Sequence, residues 1–210
     1  MDRIDDGAPD GGDAVPAEDR PSFSVLFSGL MVDRPGTAAE RFPPAKVPSV
    51  AAAIANALDA VDASRDGLAI SSGACGGDLL FATAALERSM SLQLVLPFGI
   101  ERFLDKSVAF AGAEWVARFT TTVDDEHCDL VVLDELGPIP EGSNAFERVN
   151  TWMLESWVRA RAADRTLILL WDAEPGAGPG GTADVYARAA ADAAKISVID
   201  PRQLSGGDGP

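Results

Sequence analysis

Six short apolar runs recur along the chain, separated by longer stretches in which apolar side chains return every three or four positions. The runs are FSVLFS (23–28), GLAISS (67–72), LQLVLPF (92–98), DLVVLDE (129–135), TLILLWD (166–172) and ISVID (196–200). Each has the length of a strand, and Pro97 closes the third because proline cannot extend a ladder of hydrogen bonds. Helical spacing predicts helices over 47–63, where Val50, Ile54, Leu58 and Val61 share a face, and over 77–89, 146–163 and 182–194. Between Glu101 and Thr122 the spacing of Phe103, Phe110, Trp115 and Phe119 is less regular, which predicts broken helix. Strands alternating with helices predict an α/β fold: a single Rossmann-like three-layer domain with a mostly parallel sheet of five to seven strands. No fixed repeat period is present, which argues against a solenoid.

Length changes this picture little, since 210 residues suit one domain with a buried core. Residues 1–21 are rich in Asp, Gly, Ala and Pro with almost no large apolar side chains, so they are expected to form a disordered acidic tail. SGGDGP at 205–210 reads as a second flexible tail, leaving a domain over 22–204.

Charge narrows the classes of partner. Seventeen Lys and Arg against 33 Asp and Glu give a formal net charge of -16, a field that repels polyanions and argues against nucleic acid. The same acidity also serves solubility. Cys75 and Cys128 match no metal or redox spacing, so the expectation is free thiols in a reducing compartment and no metal or other cofactor. No apolar run approaches a membrane span, and MDRIDDGAPDGGD lacks the order of a signal peptide, which together predict a cytoplasmic protein.

In an open parallel sheet, ligands bind beyond the carboxyl ends of the strands, where helix N-termini present free amides and a positive dipole end. Three such exits carry glycine. The first is Ser28–Gly29, where a missing Cβ lets a ligand or a neighbouring backbone approach, or simply makes a tight turn. At the second, Gly73, Gly76 and Gly77 surround Cys75, and their amides are candidates for an anion-binding concavity. Asp78 there is either the N-cap of its own helix or an acceptor for a ribose hydroxyl or ligand amine. At the third, Gly180 and Gly181 precede a helix led by Thr182, an arrangement suited to cradling phosphate.

Arg148 and Asn150 open the helix that continues into Trp152 and Met153. An arginine near a helix start is badly placed for its own dipole, so Arg148 awaits either a ligand phosphate or an acid such as Glu147. His127, the lone histidine, has no nearby serine or metal-ligand spacing, which argues against hydrolases of the Ser-His type and zinc enzymes. Trp115, Trp152, Trp157 and Trp171 fall at apolar positions suited to packing, with Trp171 also placed to flank a base at the third exit.

The ordered set FSGLMVD, SSGACGGDLLF, VLPF, FERVNTWM, LWD and GPGGTAD resembles the SLOG superfamily of Rossmann-like nucleotide-binding domains, over most of the ordered body. That superfamily includes the LOG phosphoribohydrolases, DprA, and nucleotide-sensing domains of bacterial conflict systems and TRPM channels. The resemblance implies that Arg148 stands where LOG enzymes place a catalytic arginine. It also implies that Gly180, Gly181 and Thr182 stand in the phosphate-binding turn. The turn departs from the LOG pattern: Val185 occupies the glutamate slot and Asp184 lies one position early. One residue on a helix turns a side chain by about 100°, so binding is better preserved than hydrolysis.

The expectation is therefore a domain that binds or senses a nucleotide or nucleotide-derived small molecule through Ser28, Gly29, Gly73, Gly76, Gly77, Asp78, Arg148, Asn150, Gly180, Gly181, Thr182 and Asp184. The alternatives are a LOG-like phosphoribohydrolase using Arg148 with Asp184 or Glu147, and a ligand-free interaction module whose acidic tail tethers an effector protein. A homodimer is the default assembly by frequency.

Overall fold

A computed structural model describes residues 20–138, 141–142, 144–174, 181–193 and 195–205, so nearly all of both expected tails lies outside the described residues. The alternation read from the sequence decides the layers. On the first strand, Phe23–Gly29 (β1), Val25 and Phe27 enter one apolar core while Leu26 enters a second core on the opposite face. The first core is covered by Val47–Asp59 (α1), Gly77–Leu86 (α2), Ile100–Ser107 (α3) and Ala113–Val123 (α4). Ala145–Arg159 (α5) and Thr182–Ala189 (α6) cover the second. The result is the expected Rossmann-like three-layer α/β domain.

The other strands are Gly67–Ser71 (β2), Ser91–Leu96 (β3), Cys128–Val132 (β4), Asp164–Leu170 (β5) and Lys195–Ile199 (β6). They form one six-stranded sheet in the order β4-β3-β2-β1-β5-β6, with every pairing parallel. The chain steps outward from β1 to β4, then returns through α5 to lay β5 on the other side of β1, where Val25 faces Ala69 on one flank and Thr166 on the other. The direction of winding reverses there, and a parallel sheet leaves its ligand crevice at that reversal.

All four helices read from periodicity end earlier than it predicts, α6 at Ala189, and three stop shortly before a residue of positive φ: Asp62 (52°) after α1, Ser89 (57°) after α2 and Arg161 (51°) after α5. Backbone capping stops them, as when Ala63 N donates to Leu58 O at 3.1 Å, although apolar residues continue beyond. The irregular 101–122 stretch resolves into α3 and α4, separated by Gly112 at φ 109°. Among the described residues, no helix is long and apolar enough to cross a membrane.

Candidate functional site

A cavity of about 510 Å³ opens over the carboxyl ends of β1, β2 and β5, at the reversal of winding. Ser28, Gly29 and Leu30 leave β1 along one side, Ser72 and Ala74 follow β2, and Trp171 follows β5. Helix α5 contributes a stripe at i, i+3, i+4 and i+7: Phe146, Val149, Asn150 and Met153. Gly181, Thr182 and Ala183 bring the start of α6 to the rim, and Arg41 and Lys106 enter from loop and helix.

The β1 exit is built by backbone pairing. Leu30 N donates to Leu170 O at 3.1 Å, Gly77 N donates to Leu30 O at 3.0 Å, and Val32 N donates to Cys75 O at 3.1 Å, locking the first exit against the second. Gly76 makes the approach feasible. It sits at φ 122°, and a Cβ there would lie 2.6 Å from Val32 N and 2.7 Å from Leu30 O. The neighbouring glycines also serve packing: a Cβ on Gly73 would meet Phe119 at 3.1 Å, and one on Gly77 would meet Leu170 and Phe27 at 3.0 Å.

Asp78 lines the cavity at 8% exposure. Burial raises its carboxyl from the usual range to about 7, and hydrogen bonding with the backbone of Ala74 and Gly29 offsets only part of that rise. The sequence offers Asp78 as an N-cap, but the cap position is Gly76 and Asp78 lies in the first turn. Cys75 beside it is buried and pushed up to about 12, by burial first and the Asp78 charge second, so it is an inert thiol. Asn150 is 5% exposed, and its Nδ2 has no hydrogen-bond partner among the described residues. Such an orphan costs free energy in the unliganded fold. Among the described residues nothing repays it.

Arg41 is clamped. Its Nε and Nη2 donate to the two carboxylate oxygens of Asp172 at 2.7 and 2.5 Å, a bidentate pair in which Asp172 is 2% exposed. The guanidinium holds the Asp172 carboxyl below its usual range, and Arg202 donates to the Asp172 carbonyl. Asp33 secures the Arg41 loop by accepting from Arg41 N and Phe42 N at 3.0 and 2.9 Å. At the α6 end, Ser28 Oγ donates to Thr182 Oγ1 at 3.5 Å.

Compared with known proteins, the chain matches no family model. No curated protein sequence matches it either.

Of the residues singled out from sequence, Ser28, Gly29, Asp78, Asn150, Gly181 and Thr182 meet in this cavity. Gly73, Gly76 and Gly77 support it from behind, and the Gly77 amide is committed to Leu30 O rather than free for an anion. Arg148 is not among the lining residues: its Nη1 donates to Gly137 O at 2.8 Å. The cause is helical phase, because the cavity stripe takes 146, 149, 150 and 153 and leaves 148 outside it. Asp184 is likewise absent from the lining and sits 3.6 Å from Arg188 Nη1, one turn along α6. Gly180 lies outside the described residues. Arg41 is the residue that sequence reasoning missed. The buried Asp172 at the end of an apolar strand signals that some cation must pair with it, but nothing local points 131 positions back.

Proposed function

We propose that this chain binds a nucleotide or nucleotide-derived small molecule in the crevice over β1 and β5, as a sensing or recognition domain of SLOG-like character acting in the cytoplasm. One observation carries the reading. A cavity of ligand size at the reversal of winding is walled mainly by apolar side chains, yet contains a buried acid, Asp78, and a buried amide, Asn150, whose Nδ2 has no partner among the described residues. Apolar walls with a few convergent polar groups suit a flat heterocycle, with Trp171 and Met153 as platforms and the Gly181–Thr182 helix start near a phosphate. Cys75 and Cys128, both free, suit a reducing compartment.

The geometry gives the hydrolase alternative less support, since neither Arg148 nor Asp184 lines the cavity and Asp78 is the lone carboxyl among its lining residues. A thermal-shift panel of mono-, di-, cyclic and ADP-ribose nucleotides tests the binding reading. A ligand at a hundredfold excess over its dissociation constant stabilises the folded state by about 2.7 kcal/mol, a readily measured rise in Tm. If no member at millimolar concentration moves the transition, a ligand-free interaction module replaces this reading.

A further inference from the structure

Far from the crevice, β6 ends the sheet with its outer side open. Trp171 N donates to Ile199 O at 2.9 Å, so the peptide groups of Ile199, and by alternation those of Ser197, face β5. Those of Ile196 and Val198 point away from it, and among the described residues no strand pairs with β6 on that side. The side chains of the same two residues stand in register with Leu167 and Leu169, on the face of the second core. Helix α6 packs over β5 and β1, and beyond it Ile196 and Val198 remain 39% and 49% exposed. A row of unpaired donors and acceptors beside exposed β-branched side chains is a template for one more strand. Lysine commonly blocks such an edge, but Lys195 turns its ammonium to Ala60 O at 2.8 Å and leaves the edge open.

We propose that the added strand is β6 of a second copy of this chain, paired antiparallel about a two-fold axis through Ser197, so that two six-stranded sheets join edge to edge. Self-complementarity selects this occupant. The outward residues flank Ser197 symmetrically, so Ile196 of each copy exchanges both backbone hydrogen bonds with Val198 of the other, and their side chains meet on one face. The flanking charges match as well. Lys195, Asp62 and Asp192 lie at the amino end of β6, Lys195 being tied there to the end of α1. The Asp200–Arg202 pair and Lys46, which donates to Leu204 O, lie at the carboxyl end. The two-fold sets one end against the other, bringing Lys195 toward the partner's Asp200, and Asp62 and Asp192 toward the partner's Arg202 and Lys46. That local match offsets repulsion between copies that each carry a net charge of -16. The contact is isologous and closes at two copies.

Sedimentation velocity of the full chain tests the proposal, at about 100 µM because the contact is a small one. Wild type should sediment as a particle of two chain masses. Val198→Lys changes an exposed side chain, so the variant should keep its circular dichroism spectrum yet sediment as a monomer, because a charge now stands against the partner's Ile196. Val158→Lys is the control: its site is 41% exposed on α5, away from the β6 edge, and the variant should remain a dimer. Ser197→Cys should form a covalent dimer on mild oxidation, which wild type with Cys75 and Cys128 should not, since residues facing across the axis have Cα atoms about 4.5 Å apart, within disulfide reach. A monomeric wild type, or a Val198→Lys protein that still dimerises, overturns the proposal. A dimer that Val198→Lys dissociates but Ser197→Cys does not cross-link overturns the antiparallel register about Ser197.

Discussion

Arg41 and Asp172 lie 131 residues apart and meet through two hydrogen bonds, at 2.7 and 2.5 Å, that tie the loop after β1 to the end of β5. The pair closes one side of the crevice. Removing the arginine leaves a carboxylate that is 2% exposed with no counter-charge of comparable geometry. Arg41→Ala is expected to cost about 2–3 kcal/mol, below the 3–5 kcal/mol of a fully buried pair because Arg41 is itself 34% exposed. In a domain of this size that is a fall in Tm of roughly 5–10 °C. Arg41→Lys should recover only part of it, since an ammonium cannot reproduce the two-pronged contact. Thermal unfolding of both variants checks the ranking, and an Arg41→Ala protein as stable as wild type would show that the clamp contributes nothing.

Asp78 gives the fold a pH dependence of defined sign. Its folded carboxyl titrates near 7 against 3.8 for an ordinary aspartate, so the folded state binds the extra proton between those values. Stability from this group is highest below about pH 4 and falls as pH rises to about 7, by on the order of 4 kcal/mol in total. Asp172 acts oppositely: its lowered value contributes stability above the usual carboxylate range that is lost on acidification through the folded value. Denaturant unfolding at pH 5 and pH 8 should show Asp78→Asn gaining over wild type at both, with the gain at pH 8 at least twice that at pH 5, because about a third of the loss is already incurred by pH 5. Parallel pH profiles for the two proteins would refute the assignment.

Gly76 is expected to tolerate no side chain. Gly76→Ala combines a φ of 122° with a Cβ placed 2.6 Å from Val32 N, and the loss should reach about 3 kcal/mol or more. Gly99→Ala is the control, because nothing lies within 4 Å of its added Cβ. Equal stability of the two variants in urea would show that the junction between the β1 and β2 exits yields easily.

Arg148 provides the sharpest separation between the resemblance and the geometry. With its guanidinium bonded to Gly137 O outside the crevice, Arg148→Ala should leave any nucleotide-induced shift in Tm unchanged. Abolition of the shift would bring Arg148 back to the site.

For the same reason AMP should release no adenine over many hours with the protein. Among the described residues that line the cavity, Asp78 is the one acid, and Arg41, the one arginine, is bound to Asp172. Chromatographic detection of sustained turnover that disappears in Asp184→Asn would restore the hydrolase.

The sequence by itself determined the layers. Val25, Leu26 and Phe27 alternate between the two cores because a strand turns successive side chains to opposite faces, and Val50, Ile54 and Leu58 bury one face of α1 because a helix repeats every 3.6 residues. Both are local periods, legible without knowing any partner. The crevice was legible to the same extent: Ser28, Asp78, Asn150 and Thr182 stand at strand exits or helix starts, which a parallel sheet gathers on one edge. Tertiary structure alone decided which neighbour faces inward. Asn150 enters the crevice and Arg148 does not, because packing of α5 against the sheet sets the helix's rotation, which composition at 146–153 leaves open. It also decided that the second-exit glycines hold backbone against backbone, and that Arg41 belongs to Asp172. Those contacts join segments distant in sequence, and their energies depend on distances that exist only once the sheet has brought β1, β2 and β5 side by side.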